Sequence, residues 1–226
     1  MAVTMGETPN PPLRLSHHDL TLPNGLGVVL VPMPGVHRAV ASLYLRVGSR
    51  FESAEDNGIS HFLEHMVFRG TPSMASAHDQ ALAFERLGAT LYAATHVDHG
   101  VMSVSVPPSN LERVLGLLAE VTEAPRYSAI EVERGIVREE ILEDLDDDGR
   151  DVDADNITRA LMYDEHPLGY TITGGIEALE RFDVPRLMAH HARHYTGDNA
   201  VLCVAGARPT VSSARISLAC KGGSLR

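Results

Sequence analysis

Cysteine is scarce. Only Cys203 and Cys220 occur in 226 residues. They are too few for a disulfide framework, and they lack the C-x-x-C spacing of a redox or metal pair. A reducing compartment is the expectation, and Cys203, inside an apolar run, reads as a core residue. Long apolar stretches are missing as well. None reaches the ~20 residues that a helix needs to cross a bilayer. Residues 1–12 carry no basic segment followed by an apolar one, the pattern of a secretory signal. A cytoplasmic location without a membrane partner is therefore expected. Basic residues are outnumbered, 19 Lys and Arg against 30 Asp and Glu, for a formal net charge of −11. That balance lacks the basic footprint of nucleic-acid binding. It favours solubility and long-range attraction of basic peptides.

What remains is an ordinary globular composition, long enough to bury a core without staples. Residues 1–15 are proline-rich and aperiodic, and read as a flexible arm. From His17 to Leu22 and from Gly27 to Val31 two short strands flank Asn24-Gly25, a pair that tolerates the positive φ of a tight turn. Val40 to Val47 reads as a third strand. A helix is predicted over 58–69, with Ile59, Phe62, Leu63, Met66 and Val67 on one face. A second follows over 76–87, with Gly88 as its stop. Two strands, 89–95 and 101–106, precede a helix opened by Asn110. Ser128-Ala129-Ile130-Glu131 has the form of a capping box and opens a long acidic helix. Helices over 152–163 and 184–194, the latter capped by Asp183, and a strand over 199–205 complete the order. The expected fold class is α+β, a mostly antiparallel sheet packed with helices. The last 20 residues, 207–226, hold no acidic side chain and no amphipathic pattern, and read as a disordered tail.

Chemistry concentrates in His61-Phe62-Leu63-Glu64-His65. On a helix, residues four apart share a face, so His61 and His65 present two imidazoles one turn apart. Glu64 points nearly the same way. This H-x-x-E-H order is the inverse of H-E-x-x-H, with the histidines as ligands of a divalent metal, zinc above all, and the glutamate as general base. A zinc site needs a third ligand. The acidic helix offers Glu133, Glu139, Glu140, Glu143 and Asp144; Glu133 and Glu140, seven apart, share a face, while Glu139 points about 100° away from Glu140. Just downstream, Asp144, Asp146, Asp148, Gly149 and Asp155 match part of a calcium loop, but Asp151 occupies its apolar position and Asp155 replaces the bidentate Glu.

With these pieces placed, the chain resembles the M16 metallopeptidases, the pitrilysin, insulysin and mitochondrial processing peptidase family. That family carries H-x-x-E-H and a glutamate ligand about 75 residues later, which falls on Glu140, with an acidic residue seven before it, here Glu133. Leu22-Pro23-Asn24-Gly25-Leu26, Val47-Gly48-Ser49-Arg50, His166-Pro167-Leu168-Gly169 and the segment His194 to Gly206 resemble further landmarks, so the likeness spans about residues 15–206. It implies a LuxS/MPP-like metallohydrolase domain over 16–206. It implies one Zn2+ per chain on His61, His65 and Glu140, Glu64 as the base, and Glu133 as an electrostatic orienting group. It implies a peptide or unfolded polypeptide substrate added as a strand beside Ala93 and Ala94. A second M16-like domain or subunit as partner belongs to the same expectation, and so does the alternative of a zinc-binding subunit that is inactive and serves assembly. One departure stands out: Tyr92 occupies a position that usually reads Asn in the edge strand.

Overall fold

A computed structural model describes residues 16–207. The expected arm over 1–15 and the tail from 208 onward lie outside the described residues. One six-stranded sheet organises what is described. Its strands are β1 (His18–Thr21), β2 (Gly27–Pro32), β3 (Ala39–Leu45), β4 (Leu91–Thr95), β5 (Gly100–Val106) and β6 (Ala200–Gly206), in the order β1-β2-β6-β3-β5-β4. All neighbours run antiparallel except β2 and β6, which are parallel. The fold is thus α+β with a largely antiparallel, mixed sheet.

The first hairpin forms where Asn24-Gly25 predicted it. Gly25 takes φ 88°, and the Asn24 side chain accepts a hydrogen bond from the Leu26 N–H at 3.2 Å. A Cβ at Gly25 would also crowd Asp198, at 3.0 Å. The sheet then buries alternate residues. In β3 these are Ala39, Ala41, Leu43 and Leu45; in β5, Met102, Val104 and Val106; in β6, Leu202 and Val204. This is the period-2 pattern of a sheet with one packed face.

Seven α-helices among the described residues connect the strands. α1 (Ile59–Met66) and α2 (Ala77–Glu85) come between β3 and β4. α3 (Leu111–Glu123), α4 (Ile130–Glu143), α5 (Ala154–Tyr163), the single turn α6 (Ile176–Leu179) and α7 (Val184–His194) come between β5 and β6. α1 is the central one. It buries Ile59, Phe62, Leu63 and Met66 and packs against β4, α4 and α7. Burying side chains of that size stabilises by about 1.5–3 kcal/mol each, so its apolar face fixes its roll and therefore where its polar face points.

Several local expectations change. The motif helix ends at Met66 rather than Arg69; Val67 to Arg69 form the turn after it. Asp183 and Ser76 cap α7 and α2 through side-chain oxygens that accept from Arg186 N and Asp79 N. The capping box at Ser128 does not form. Ala129 precedes α4 in the left-handed region, φ 60°, with no side-chain cap, so Ser128 is displaced from the first turn. Asn110 likewise makes no cap; its amide donates to the Leu87 carbonyl at 3.1 Å and ties two loops together instead.

Candidate metal centre

α1 begins at Gly58, which has φ 95° and offers no side chain to satisfy the first amides of the helix. Glu52 supplies what is missing. Its carboxylate accepts from Gly58 N at 2.8 Å, Ser60 N at 2.9 Å and the Asn57 amide at 3.1 Å. An anion at a helix N-terminus satisfies orphan donors and complements the helix dipole. Burial pushes the Glu52 pKa up, against the opposing pull of these hydrogen bonds. Ser60 braces the same turn, accepting from Gly48 N at 3.2 Å and lying 3.2 Å from His190 Nε2.

With its start anchored and its apolar face packed, α1 turns His61, Glu64 and His65 toward α4 and β4. The imidazoles of His61 and His65 stand edge to face, 4.8 Å between centroids. From α4, Glu140 Oε2 lies 3.5 Å from His61 Nε2 and 3.4 Å from His65 Nε2. One donor atom from each of the three residues falls within 4.8 Å of the others. Ligands about 2.0–2.1 Å from a tetrahedral zinc stand roughly 3.4 Å apart, close to the two separations from Glu140, so these three residues could hold that ion. Burial, with His65 nearby, pushes the His61 pKa down to about 4, which keeps the ring neutral and its lone pair available. Glu139, the alternative on the same helix, is exposed and stands outside the cluster.

Glu133 lies two turns before Glu140 and is 2% exposed. Its Oε2 is 3.0 Å from His65 Nδ1, the nitrogen turned away from the cluster, and its other oxygen pairs with the Arg69 guanidinium. Carboxylate, imidazole and cluster thus stand in line, an arrangement that fixes ring orientation and tautomer at metal sites. His61 Nδ1, by contrast, is buried without a partner among the described residues, so packing alone holds that ring.

Glu64 faces the same space without joining the cluster. Thr95 in β4 donates its hydroxyl to Glu64 Oε2 at 2.6 Å. Burial raises the Glu64 pKa, and the Thr95 bond and the His65 ring work against that rise. Between the helix and the sheet edge opens a cleft of about 420 Å³, with His61, Glu64, Ala93, Ala94 and Thr95 among its walls. Arg159 and Asn156 of α5 also line it. Tyr92 does not reach the cleft. It is 60% exposed and alternates with Ala93, so its ring projects from the far face of the sheet.

Four contributors were not singled out from the sequence: Glu52, Arg69, Thr95 and Arg159. Two had a signal. Arg69 continues the i, i+4 series of His61 and His65, and Thr95 shares a strand face with Ala93. The acidic run after α4 is spent on local structure. Asp146 accepts from the N–H groups of Asp148 and Arg150, and Asp153 caps α5. No calcium cage converges there among the described residues.

Residues 27–175 match the sequence model of the insulinase family, peptidase family M16. The chain belongs to the M16 family. An uncharacterized zinc protease of Mycobacterium tuberculosis is 38% identical over 199 residues, 87% of this chain and 45% of that protein. A probable mitochondrial-processing peptidase subunit beta of Arabidopsis thaliana is 30% identical over 210 residues, 88% of this chain and 39% of that one. The first half of the periplasmic protease PqqL of Escherichia coli superposes with a TM-score of 0.80 at 23% identity, covering 93% of this chain and 47% of that structure. This M16 chain therefore spans under half the length of the curated relatives it matches.

These relatives correct the cytoplasmic expectation. One is named periplasmic and another mitochondrial. The expectation rested on missing apolar segments, and that observation carries no information about compartment. No helix among the described residues is long and apolar enough to cross a membrane, which leaves open on which side of one the domain works.

Proposed function

We propose that residues 16–206 form the metal-and-base half of a zinc-dependent endopeptidase, flanked by an arm over 1–15 and a tail over 207–226. The observation that carries this reading is the convergence of His61, His65 and Glu140 on one point, with Glu64 beside it and a cleft open along a sheet edge. His61, His65 and Glu140 hold one zinc ion per chain. Bound zinc supplies a Lewis acid that polarises a carbonyl and makes water acidic enough to be a nucleophile near neutral pH. Glu64, its pKa lifted by burial, takes the proton from the attacking water and passes it to the leaving amine nitrogen. Thr95 aims that carboxylate. Glu133, backed by Arg69, holds His65 in the tautomer that presents Nε2.

The substrate is a peptide or unfolded polypeptide. β4 ends the sheet order among the described residues, so its outer edge is open to pairing. An extended segment that adds there passes Ala93 and Ala94, and main-chain pairing binds it with little demand on sequence. Because the chain spans 45% of the mycobacterial relative, a second M16-like domain or subunit completes the chamber. A second reading is a zinc-binding subunit that is catalytically silent and scaffolds such a partner.

Zinc content and hydrolysis of a fluorogenic peptide, measured with and without a candidate partner half, test both. Stoichiometric zinc with hydrolysis abolished by Glu64→Gln is the expected result. Zinc without hydrolysis in either setting selects the second reading, and protein that binds no zinc overturns both.

A further inference from the structure

α7 buries Leu187 and turns a different row of residues, Arg186, His190, Arg193 and His194, toward a second cleft. They fall at i, i+4, i+7 and i+8, so they share one side of the helix. The cleft holds about 540 Å³, and its other walls include Phe51 and Asp56 and, at the start of α1, Ile59. It shares no lining residue with the cleft at the metal centre.

Two more cations converge from the chain before α1. Arg46 follows β3, and Arg50 lies in the 3-10 turn Ser49–Phe51. Their guanidinium carbons stand 5.5 and 5.9 Å from the centre of the Phe51 ring. Burial, and after it the charges of Arg193 and Arg46, push the His194 pKa down, so both guanidiniums act on that imidazole. Among the described residues no ion pair ties Arg46, Arg50 or Arg193 to a carboxylate; of the four arginines only Arg186 has one, to Asp56 at 2.8 Å. Glu52 also borders the cleft, but its oxygens are committed to the amides that open α1. Asp98, which feels the charge of Arg50, lies 2.9 Å from His99 Nδ1.

We propose that this cleft is a binding site for a multivalent oxyanion of the phosphate class, such as pyrophosphate or triphosphate. A guanidinium is a rigid fork of donors that matches the oxygens of a phosphoryl group two at a time. Four of them, brought to one concavity from β3, the turn after it and α7, suit a ligand with several charged oxygens better than a lone carboxylate. The volume lies within the range of small-molecule sites. Phe51 already has two guanidiniums on its ring, and no Tyr or second Phe lines the cleft, so the group recognised is the anion rather than a stacked base. The net charge of −11 opposes any anion at long range. That field is screened within about 8 Å at physiological salt, and part of it comes from Asp144, Asp153 and Asp155 at the other cleft. Affinity therefore rests on the local arginines, and the loss of any one is felt. The site needs neither zinc nor peptidase activity.

Calorimetric titration of the full chain with sodium triphosphate, at fixed ionic strength, tests it. The expected result is one site per chain with a dissociation constant below about 1 mM. Arg193→Met and Arg46→Met should each weaken it by about tenfold or more, with circular dichroism unchanged; Arg50→Met is scored in place of either that fails to fold. Arg150→Met, which removes a cation paired with Asp148 in the acidic run, should leave affinity unchanged. Triphosphate also ligates zinc, so the titration is repeated after metal removal, and binding should persist. Absence of saturable binding overturns the proposal, and so does binding that the cleft variants do not move. Binding that vanishes with the metal overturns it by placing the anion at His61 and His65. A hexaglutamate peptide that binds the cleft about tenfold tighter than triphosphate overturns it too, in favour of an acidic protein segment as occupant.

Discussion

Thr95 holds Glu64 from the opposite wall of the cleft, a 2.6 Å bond between the edge strand and the motif helix. Its hydrogen bond favours the ionised carboxylate, against the burial that favours the neutral form. Thr95→Val removes the bond and leaves the burial, so the Glu64 pKa rises further. The acidic limb of the kcat/KM profile for peptide hydrolysis should move to higher pH, with a loss of about tenfold at neutral pH, in line with a hydrogen bond to a charged group. Thr95→Ser should restore both. A limb that stays in place in Thr95→Val removes Thr95 from the mechanism.

Glu133 is placed to act on zinc affinity without touching the ion. Glu133→Gln keeps the shape but weakens the grip on His65 Nδ1 and leaves the Arg69 charge without its carboxylate. Losses of about 10–100-fold in metal affinity are typical of such partners, and competition with a chelating dye reads them. Arg69→Met should move affinity in the same direction by less. An unchanged dissociation constant in Glu133→Gln reduces that residue to a structural acid.

The two adjacent glutamates of α4 make a sharp internal control. Glu140→Ala should weaken zinc binding by at least a hundredfold, whereas Glu139→Ala, exposed and pointing elsewhere, should leave it within twofold. Calorimetric titration of zinc distinguishes them, and the reverse ranking discards the assigned ligand set.

His190 links stability to pH. Burial, with His194, His191 and Arg193 nearby, pushes its pKa down to about 3. In the unfolded chain an imidazole takes up its proton near 6.5. The unfolded state therefore binds the proton first as pH falls. The stability due to neutral His190 is complete above about pH 6.5 and is lost progressively toward pH 3, by up to about 1.4 kcal/mol per pH unit. His61, pushed down to about 4, adds a contribution of the same sign in metal-free protein. Urea denaturation of the metal-free chain at pH 6.5 and 5 should show a smaller drop in His190→Asn than in wild type; equal drops refute the assignment.

Much of this centre was legible because its information is local. H-x-x-E-H places three side chains on one helical face, and Glu133 and Glu140 share a face for the same reason. The Asn24-Gly25 turn and the Asp183 cap are short-range devices whose chemistry is written in adjacent residues. What could not be read is what depends on distant partners. Nothing near Thr95 reveals Glu64, and nothing near Glu52 reveals that it will cap a helix six residues on. The capping box failed for a related reason. Ser128-Ala129-Ile130-Glu131 has the right letters, but Ala129 enters α4 at φ 60° and the box never closes. The parallel pairing of β2 with β6 was equally hidden, since no residue type marks it.

That pairing has a consequence for how the chain is made. Gly27 lies beside Val201, and β6 slots between β2 and β3. During synthesis both of those strands must wait, each with an open edge, until nearly the whole domain has emerged. Loop closure over such a distance is slow, and open strand edges are where nascent chains aggregate. The two halves of the sheet, β1-β2 on one side and β3-β5-β4 on the other, are joined by β6, the last strand among the described residues. Quality control that samples this protein before Gly206 is out meets two sheet fragments rather than one fold.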